Sequence, residues 1–403
     1  MLELEQSFQV TYYNEKSVGD KKMKSFGIHT KIYFGEGALE RLEQIPYKRV
    51  LIITDPFVVS SGMIKLITHP LENARIAYEI FKDVVPDPPV EKIAVGVKEM
   101  LEYKPDCIVA VGGGSAIDSS KSIREFALKA EPYGDCALIA VPTTSGTGSE
   151  VTSFAVISDP QAKMKYPLVS PDLTPDEAIL DAELVRSVPP AITADTGMDV
   201  FTHALEAYVS LNNNEFSAAL AEKAIEIIGV FLLRAYLDGN DMHARQKMHA
   251  ASCLAGLAFN SASLGLNHGM AHQLGSNFHI PHGRANAMLL PHIIEFNANI
   301  NKHSRSQKEY LPAVKKYATV ANNLGLSSYN KIMSVRSLVN WTQFMLKEMD
   351  IPLSISQMGN ITEEEYMAAI PAMADAAIAD ACTATNPRPV TRADVMQIYR
   401  DLW

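Results

Sequence analysis

The chain has 403 residues, of which 47% are apolar and 20% are charged, and its net charge is −10. This length suits two domains of roughly 200 residues each, and the composition excludes a disordered chain. The acidic balance argues against a nucleic acid or an anionic membrane as partner. Four cysteines without a C-x-x-C pair are too few for a disulfide scaffold, and no apolar run is long enough to cross a bilayer. We therefore expect a soluble, cytoplasmic protein.

The first 24 residues form a polar, irregular N-terminal extension without the apolar run of a secretory signal. Beyond them, short β-branched runs alternate with helix-like stretches. The predicted strands cover residues 50–54, 77–81, 107–111 and 137–141, and the predicted helices cover 38–43, 90–101 and 116–130. This alternation predicts an α/β domain over residues 25–185, with a parallel sheet covered on both faces.

The second half of the chain has a different character. Beyond Pro189 and Pro190 the β-branched runs fade, and helical periodicity dominates. The predicted helices cover residues 193–209, 215–237, 242–259, 268–274 and 310–324. We therefore predict an all-α domain over residues 186–403, and a ligand cleft between the two domains.

A glycine-rich segment, GGGSAIDSSKSI, begins at Gly112, directly after a predicted strand. Its glycines let backbone N–H groups approach an anion, and Ser115 can cap the next helix, whose positive end would face a phosphate. The segment is neither a P-loop nor a clean G-x-G-x-x-G motif, so ordinary Rossmann rules transfer poorly. A tight turn between strand and helix is the alternative interpretation.

A second loop, PTTSGTGSEVT, begins at Pro142 and offers hydroxyl groups and two glycines. Two such loops at the carboxyl ends of parallel strands form the expected crevice for a dinucleotide. Asp55 ends an earlier predicted strand. Its carboxylate could accept a hydrogen bond from a ribose 2′-OH and repel a 2′-phosphate, or it could simply form a turn before Pro56.

Histidines cluster in the second half of the chain. His268 and His272 are four residues apart and share a helix face, and His282 follows after a turn. Upstream, Asp199 and His203 have the same spacing. A carboxylate and imidazoles on facing helices suit a divalent transition metal. Three other histidines lie among polar helix residues and are expected at the surface: His243, His249 and His303.

Four segments together resemble the iron-containing (group III) alcohol dehydrogenases: GGGSAIDSSK, PTTSGTGSEVT, GMDVFTHALEAYVS and GLNHGMAHQLGSNFHIPHGRANAMLLP. The motifs are long and correctly ordered, and the resemblance runs from about Phe26 to the C-terminus. The run ISDPQAKMKYPLVSPDLTPDEAILDAELVRSVPPAITADTGMDV is most similar to the propanol dehydrogenases of bacterial propanediol-degrading microcompartments. The alcohol dehydrogenase half of the bifunctional aldehyde-alcohol enzymes is similar too.

The resemblance implies an N-terminal dinucleotide domain, a C-terminal helical metal domain and a set of site residues. His272 would lie beside the metal, near the nicotinamide and the substrate, and would relay the proton. The implied metal ligands are Asp199, His203, His268 and His282. The implied cofactor contacts are Asp55, Gly113, Gly114, Ser115, Asp118, Thr143, Thr144, Thr147 and Lys165. The implied substrate pocket includes Phe154, Phe259 and Cys382. Phe154 lies where diol-using relatives can carry a polar side chain, which favours an unsubstituted alcohol.

The activity implied is reversible, NAD(H)-linked hydride transfer between a short primary alcohol, such as 1-propanol, and its aldehyde. Fe2+ is the implied cation, and Zn2+ is an alternative because imidazole and carboxylate ligands suit both. Alternative substrates within the family are 1,3-propanediol, butanol and lactaldehyde. A homo-oligomer, dimeric or larger, is expected. The N-terminal extension departs from the family pattern, and two hypotheses are open for it: a disordered arm, or a segment that binds a shell or lumen partner inside a bacterial microcompartment.

Two other functions compete with this interpretation. Glycerol dehydrogenase and dehydroquinate synthase share the two-domain plan. A synthase needs several basic residues for a phosphorylated substrate, and Arg284 is the main candidate in the motif region. A non-catalytic assembly component is the alternative of another class, although such a protein would not need the metal and phosphate motifs.

Overall fold

A computed structural model describes residues 25–159, 164–300, 311–326 and 328–403. The strands are β1 (Lys31–Phe34), β2 (Arg49–Thr54), β3 (Ala77–Phe81), β4 (Cys107–Gly112), β5 (Ala137–Pro142), β6 (Phe154–Asp159), β7 (Met164–Val169) and β8 (Glu177–Leu180). The α-helices of the first half are α1 (Pro56–Ser60), α2 (Lys65–Asn73), α3 (Val90–Tyr103) and α4 (Gly114–Ala130). Short 3-10 helices lie at Ala38–Gln44, Ser149–Val151, Pro171–Leu173, Ala182–Val185, Ile355–Met358 and Ala381–Thr385.

The second half is helical. Its α-helices are α5 (Pro190–Val209), α6 (Glu215–Leu237), α7 (Met242–Ala262), α8 (Leu266–Phe278), α9 (His282–Ala298), α10 (Pro312–Asn323), α11 (Lys331–Glu348), α12 (Glu363–Ala379) and α13 (Arg392–Asp401). Their apolar side chains form one continuous cluster that extends from Ala194 to Leu402. This half therefore matches the predicted all-α architecture.

Six strands form the predicted parallel sheet, in the order β1-β8-β5-β4-β2-β3. All six residues of β4 are buried, as are five of six in β2 and β5, which a sheet covered on both faces requires. Alternate residues of β2 enter separate apolar clusters. Val50 and Ile52 belong to one, and Leu51 and Ile53 to the other.

The structure adds strands that the sequence interpretation omitted. β1 and β8 complete the sheet on one side, and β6 pairs with β7 as an antiparallel hairpin. β1 and β8 have only four residues each, and the faces of β1 and β6 are partly exposed, so β1 and β6 lack the continuous apolar run that marked β4. The stretch predicted as a helix over 38–43 is the 3-10 helix Ala38–Gln44.

The two halves meet at α5 and at a small apolar cluster that joins β8 to α7. Pro190 begins α5, where its missing N–H costs nothing. The predicted domain division at residue 185 lies between the 3-10 helix Ala182–Val185 and α5, and it stays a prediction. Within the described ranges, no helix is long and apolar enough to span a membrane.

Candidate active site

Three neighbouring strands, β5, β4 and β2, end at one edge of the sheet, where the predicted cofactor residues lie. Asp55 follows β2 and caps α1, because its Oδ1 accepts hydrogen bonds from the backbone N–H groups of Phe57 (2.8 Å) and Val58 (3.1 Å). Its Oδ2 faces the next loop, since a Cβ placed on Gly112 would lie 3.4 Å from this oxygen. Asp55 is therefore a turn former that still presents one carboxylate oxygen to the crevice.

The glycine loop leaves the first turn of α4 open. Gly113 is the N-cap and has no side chain to cap the helix, and Ser115 lies inside the first turn. The prediction that Ser115 caps this helix is therefore wrong. The reason is that α4 begins at Gly114, one residue before the serine. Uncapped N–H groups at a helix start are the groups that bind a phosphate, so the anion-binding interpretation of this loop keeps its physical basis.

The two loops touch each other. A Cβ on Gly113 would lie 3.3 Å from Oγ1 of Thr144, and one on Gly114 would lie 2.7 Å from Cγ2 of Thr147. The backbone N–H of Thr143 donates to the carbonyl oxygen of Gly112 at 3.0 Å. Side chains in place of these glycines would therefore push the loops apart, and the structure brings the predicted glycines and threonines into one crevice.

Behind the crevice, a buried lysine that the sequence interpretation missed holds the second loop. Lys121 Nζ donates to the carbonyl oxygens of Thr152 (2.8 Å) and Phe154 (2.7 Å) and to Oγ of Ser149 (3.0 Å). Burial lowers the pKa of Lys121 to about 8. Lys121 lies one helix turn after Asp118 in the GGGSAIDSSK motif, and this spacing was the available signal.

Asp118 and Lys165 are the remaining predicted cofactor residues. Both oxygens of Asp118 accept hydrogen bonds within the protein, from Ser149 Oγ (2.6 Å) and from the backbone N–H of Val156 (2.9 Å). Burial raises the pKa of Asp118 against the opposing effect of Lys121. Lys165 belongs to β7, but its side chain lies outside the described part of the structure. Contacts of both residues with a cofactor stay predictions.

The four predicted metal ligands converge at one point in the helical half. α5 carries Asp199 and His203, α8 carries His268, and α9 begins with His282. Oδ1 of Asp199 lies 3.6 Å from Nε2 of His282, 3.7 Å from Nε2 of His268 and 4.0 Å from Nε2 of His203. One ligand atom from each residue lies within 4.8 Å of the others.

The donor set fits a divalent transition metal. Atoms bound at about 2.1 Å to one ion lie about 3.0–4.2 Å apart, close to the spacing found here. Burial lowers the pKa of His203, and burial together with the neighbouring imidazoles lowers that of His268. Both rings are therefore neutral and can offer a lone pair to a cation. Buried Asp199 supplies the negative charge.

His272 lies beside this cluster but points its Nδ1 elsewhere. Nδ1 is 2.8 Å from Oδ2 of Asp380, and the ring stacks on His282 with centroids 5.5 Å apart. His272 and His282 line a cavity of about 210 Å³, to which Asp87 contributes from the α/β half. The position beside the cluster, at an opening shared by both halves, agrees with the expectation for His272.

The three predicted pocket residues surround the same cluster. The ring of Phe259 lies 4.7 Å from that of His203 and 6.5 Å from that of Phe154, measured between centroids. Cys382 lies next to His272 and Asp380, because ligand atoms of the three residues lie within 4.8 Å of one another and the backbone N–H of Cys382 donates to Oδ1 of Asp380 at 2.9 Å. An apolar wall and a thiol thus flank the candidate metal centre, and contact of these residues with substrate stays a prediction.

Comparison with known proteins decides the family. The family model described as iron-containing alcohol dehydrogenase matches residues 29–182. The one described as Fe-containing alcohol dehydrogenase family, C-terminal, matches residues 193–403. The chain belongs to the iron-containing alcohol dehydrogenase family. This result confirms the resemblance and the enzyme class expected from the motifs.

Individual relatives agree with this assignment. The dehydrogenase is 42% identical to the 1-propanol dehydrogenase PduQ of Citrobacter freundii over 384 residues, which cover 94% of this chain and 100% of the relative. It is 37% identical to an NADPH-dependent butanol dehydrogenase of Clostridium saccharobutylicum over 392 residues, covering 94% and 97%. A crystal structure of a 1,3-propanediol oxidoreductase matches with a TM-score of 0.85 at 32% identity, covering 95% of this chain and 100% of that one. The fold class is thereby confirmed.

The dehydrogenase also holds a polar frame behind the candidate ligands, which the sequence interpretation missed. Glu206 accepts a close hydrogen bond from Nδ1 of His268, and its Oε1 accepts from the backbone N–H of Asn267 at 2.8 Å. Asn286 Nδ2 lies 2.7 Å from Oδ1 of Asp199 and 3.1 Å from Nε2 of both His268 and His282. Asn267 Nδ2 in turn donates to Oδ1 of Asn286 at 2.9 Å.

This polar frame orients the candidate ligands. A His268 ring whose Nδ1–H is held by Glu206 presents the Nε2 lone pair towards Asp199. Burial raises the pKa of Glu206 to about 8, and hydrogen bonds from the backbone N–H groups of Asn267 and His268 oppose this rise by favouring the carboxylate. The spacing in the sequence was a signal for Glu206, because it places this residue on the same helix face as Asp199 and His203. The structure adds that 15 of the 20 residues of this helix are buried. Asn286 likewise follows His282 by four residues.

One histidine in the second half contradicts the surface prediction. His249 on α7 is only 1% exposed, and its Nδ1 lies 3.0 Å from Oγ of Ser145 in the second loop. α7 packs closely against that loop, since a Cβ on Gly148 would lie 2.6 Å from the Cα of Gly256. The helix therefore buries His249 against this loop, on the same face as Arg245, although polar residues surround it in the sequence. His243 is exposed as predicted, and His303 lies outside the described residues.

Burial of His249 makes stability depend on pH. Burial lowers the pKa of His249 from 6.5 to about 4. Below pH 6.5 the unfolded chain binds a proton that the folded protein excludes. The contribution of neutral His249 to the free energy of unfolding is therefore complete above pH 6.5 and is lost as the pH falls towards 4. We expect the free energy of unfolding, measured with urea, to fall by about 3 kcal/mol less over this pH range in the His249→Gln variant than in the wild type. Equal losses would contradict the prediction, and exposed His69→Gln is the matched control.

Proposed function

We propose that this dehydrogenase interconverts a short, unsubstituted primary alcohol, such as 1-propanol, and its aldehyde, with NAD(H) as coenzyme. We further propose that Asp199, His203, His268 and His282 hold Fe2+. The observation that carries the proposal is the convergence of these four side chains, within 4.8 Å of one another, beside the cavity lined by His272. A carboxylate and three imidazoles, two of them kept neutral by burial, suit no other common ligand as well as a divalent cation.

The substrate class rests on two observations. The relative at 42% identity is named a 1-propanol dehydrogenase, and the relative at 37% is named for butanol. In this chain Phe154 and Phe259 provide an apolar wall near the candidate cation, where a second hydroxyl group would lose its hydrogen bonds to water. A plain alkyl chain therefore suits this wall better than a diol.

The site geometry supports a catalytic role for several of the protein's own residues. A cation held by Asp199, His203, His268 and His282 would supply Lewis acidity at the substrate oxygen, and a coenzyme in the crevice of the two loops would supply the hydride chemistry. His272 has its Nδ1 tied to Asp380, so its other nitrogen is available to carry the proton that the alcohol loses or gains. Asp380 holds the tautomer that this role requires. Phe154 and Phe259 exclude water from the reacting carbon.

The choice of Fe2+ over Zn2+ rests on ligand number. Catalytic zinc usually has three protein ligands and one open position. Four protein ligands plus a substrate oxygen require a higher coordination number, which Fe2+ accepts more readily. Because zinc often binds more tightly than iron at nitrogen and oxygen ligands, the metal present after purification need not be the active one.

An aldehyde panel tests the function directly. Metal-stripped enzyme is reconstituted with Fe2+ or Zn2+, and NADH oxidation is measured with acetaldehyde, propionaldehyde, butyraldehyde and their hydroxylated analogues. We expect the highest kcat/KM with propionaldehyde and Fe2+, and no turnover without a divalent ion. Preference for a hydroxylated substrate would refute the substrate class, and full activity in the stripped enzyme would refute the metal site. Absence of any turnover with all metals would favour the non-catalytic assembly component.

The frame behind the ligands gives a second test of the metal site. Glu206→Gln keeps the size of the side chain, but it replaces one acceptor oxygen by an NH2 donor. This NH2 would face either the backbone N–H of Asn267 or Nδ1–H of His268, so one hydrogen bond is lost. We expect metal affinity to fall about 10- to 100-fold, as for other groups that orient a metal-bound imidazole. Competition with a coloured chelator measures this. Glu226→Gln, exposed on α6, should bind metal like the wild type, and an unchanged affinity in Glu206→Gln would contradict the prediction.

The synthase alternative loses support from the family assignment and from Arg284, whose Nε already donates to Oδ1 of Asp195 at 3.1 Å. Oligomerisation and encapsulation remain predictions. Residues 1–24, on which the encapsulation hypothesis depends, lie outside the described residues. A fusion of this segment to a fluorescent protein should co-purify with microcompartment shells if it is a targeting segment. Native mass spectrometry of the full chain would determine the oligomeric state.

A further inference from the structure

A second group of ligand-type side chains lies next to the four-residue site. It consists of His272, Asp380 and Cys382, and one ligand atom from each lies within 4.8 Å of the others. The Asp380 carboxylate accepts a hydrogen bond from each of its two neighbours. Its Oδ2 is 2.8 Å from Nδ1 of His272, and its Oδ1 accepts from the backbone N–H of Cys382 at 2.9 Å.

Packing holds these three groups in place without an ion. Asp380 directly follows α12 and caps the 3-10 helix Ala381–Thr385 through the backbone N–H of Cys382. This 3-10 helix packs tightly against α8, which carries His272, because a Cβ on Gly269 would lie 2.2 Å from Oγ1 of Thr383. The ligand atoms are therefore positioned by rigid elements, and a cation would have to move only side chains.

We propose that His272, Asp380 and Cys382 form a second, inhibitory site for a thiophilic divalent cation such as Zn2+ or Cd2+. A sulfur, a nitrogen and an oxygen donor together favour such ions over Mg2+ or Ca2+, which prefer oxygen ligands alone. On binding, the thiol releases its proton to solvent, and the Nδ1 proton of His272 moves to Nε2. The cation would then be held by the Cys382 thiolate, Nδ1 of His272 and the Asp380 carboxylate, whose ligand atoms already lie within 4.8 Å of one another.

Inhibition follows from the role of His272, and this part of the inference rests on the proposed function. When Nδ1 of His272 binds a cation, Asp380 no longer holds the ring. Its Nε2 then carries a proton and cannot accept the one that the alcohol loses. Cys382 is the one cysteine of the four that is not buried. A metal–thiolate signal from the folded enzyme can therefore be assigned to this position, and Cys253→Ser, in a buried place on α7, provides the control.

The test is an anaerobic Cd2+ titration of the iron-loaded full chain. The cadmium–thiolate absorbance, the bound iron and the rate of aldehyde reduction are recorded together. We expect the absorbance in the wild type and in Cys253→Ser to saturate at one Cd2+ per chain, in parallel with loss of activity and without release of iron. In Cys382→Ser and Cys382→Ala the absorbance should vanish. Half-inhibition, relative to each variant's own rate, should then need on the order of 100-fold more Cd2+.

Two results would overturn the inference. The first is an unchanged absorbance in both Cys382 variants. The second is inhibition that accompanies iron release and is equal in all variants, which would place Cd2+ at the first site. Failure of the proposed function would look different. A wild-type protein that binds no iron and reduces no aldehyde would refute the first site, while the cadmium absorbance would still decide the second one.

Discussion

Replacing His268 with alanine is expected to remove the bound metal and to lower turnover by at least about 10³-fold, while the chain still folds. The ring is buried on α8, and its Nε2 lies 3.7 Å from the Asp199 carboxylate, with which it would hold the cation. Lewis-acid assistance contributes several kcal/mol to the transition state, and each 1.4 kcal/mol is tenfold in rate. Alanine is a good helix former, so α8 should persist.

Three measurements check this prediction: metal content by elemental analysis, kcat with propionaldehyde, and far-ultraviolet circular dichroism. Glu206, left without its imidazole partner, can accept a proton because burial has raised its pKa to about 8, so no unpaired charge should unfold the core. His69→Ala, exposed on α2, is the control and should keep both metal and activity. A folded His268→Ala enzyme with full metal content would remove this residue from the site.

Replacing Asp55 with serine is expected to lower the preference for NADH over NADPH by about 100-fold, or roughly 2.7 kcal/mol. The carboxylate oxygen that faces the glycine loop would repel a 2′-phosphate, and serine removes that charge. Serine is also a good N-cap, so α1 should keep the hydrogen bonds that Asp55 provides to Phe57 and Val58. The variant therefore separates the charge of Asp55 from its structural role.

The measurement is the ratio of kcat/KM for NADH to that for NADPH. Asp83→Ser is a matched control, because Asp83 is exposed and follows β3, the strand beside β2, so it removes an equal charge from the same edge of the sheet. Equal changes in the two variants would mean that only net charge matters, and an unchanged ratio would exclude Asp55 from coenzyme selection. The NADPH-dependent relative at 37% identity indicates that the coenzyme is not set by the family fold alone.

Features with a local physical cause could be predicted from the sequence. β2, β4 and β5 are buried on both faces, so their apolar runs are continuous and distinctive. Asp199 and His203 have helical spacing, as do His268 and His272, because side chains four apart share a face. The glycine-rich loops could be located too, since close approach of backbone to backbone requires residues without side chains.

Features that depend on distant partners could not be predicted in this way. The edge strand β1 and the hairpin β6–β7 are partly exposed, so their sequences carry a weak apolar pattern. His249 has polar neighbours in sequence, yet α7 packs it against a loop about 100 residues earlier in the chain, at Ser145. Likewise, Asp380 gains its role only because α12 and the 3-10 helix after it bring it to His272, 108 residues away.

The sequence by itself determined the alternation of strands and helices in the first half and the helical character of the second, because these depend on composition and on spacing within single elements. The resemblance of its motifs implied the family and the four candidate ligands. Tertiary structure alone decided that the four side chains meet within 4.8 Å, that Glu206 and Asn286 orient them, and that Lys121 secures the second loop. The physical reason is that a buried charge is tolerated only where packing supplies its partner, and no local pattern records which distant residue that partner is.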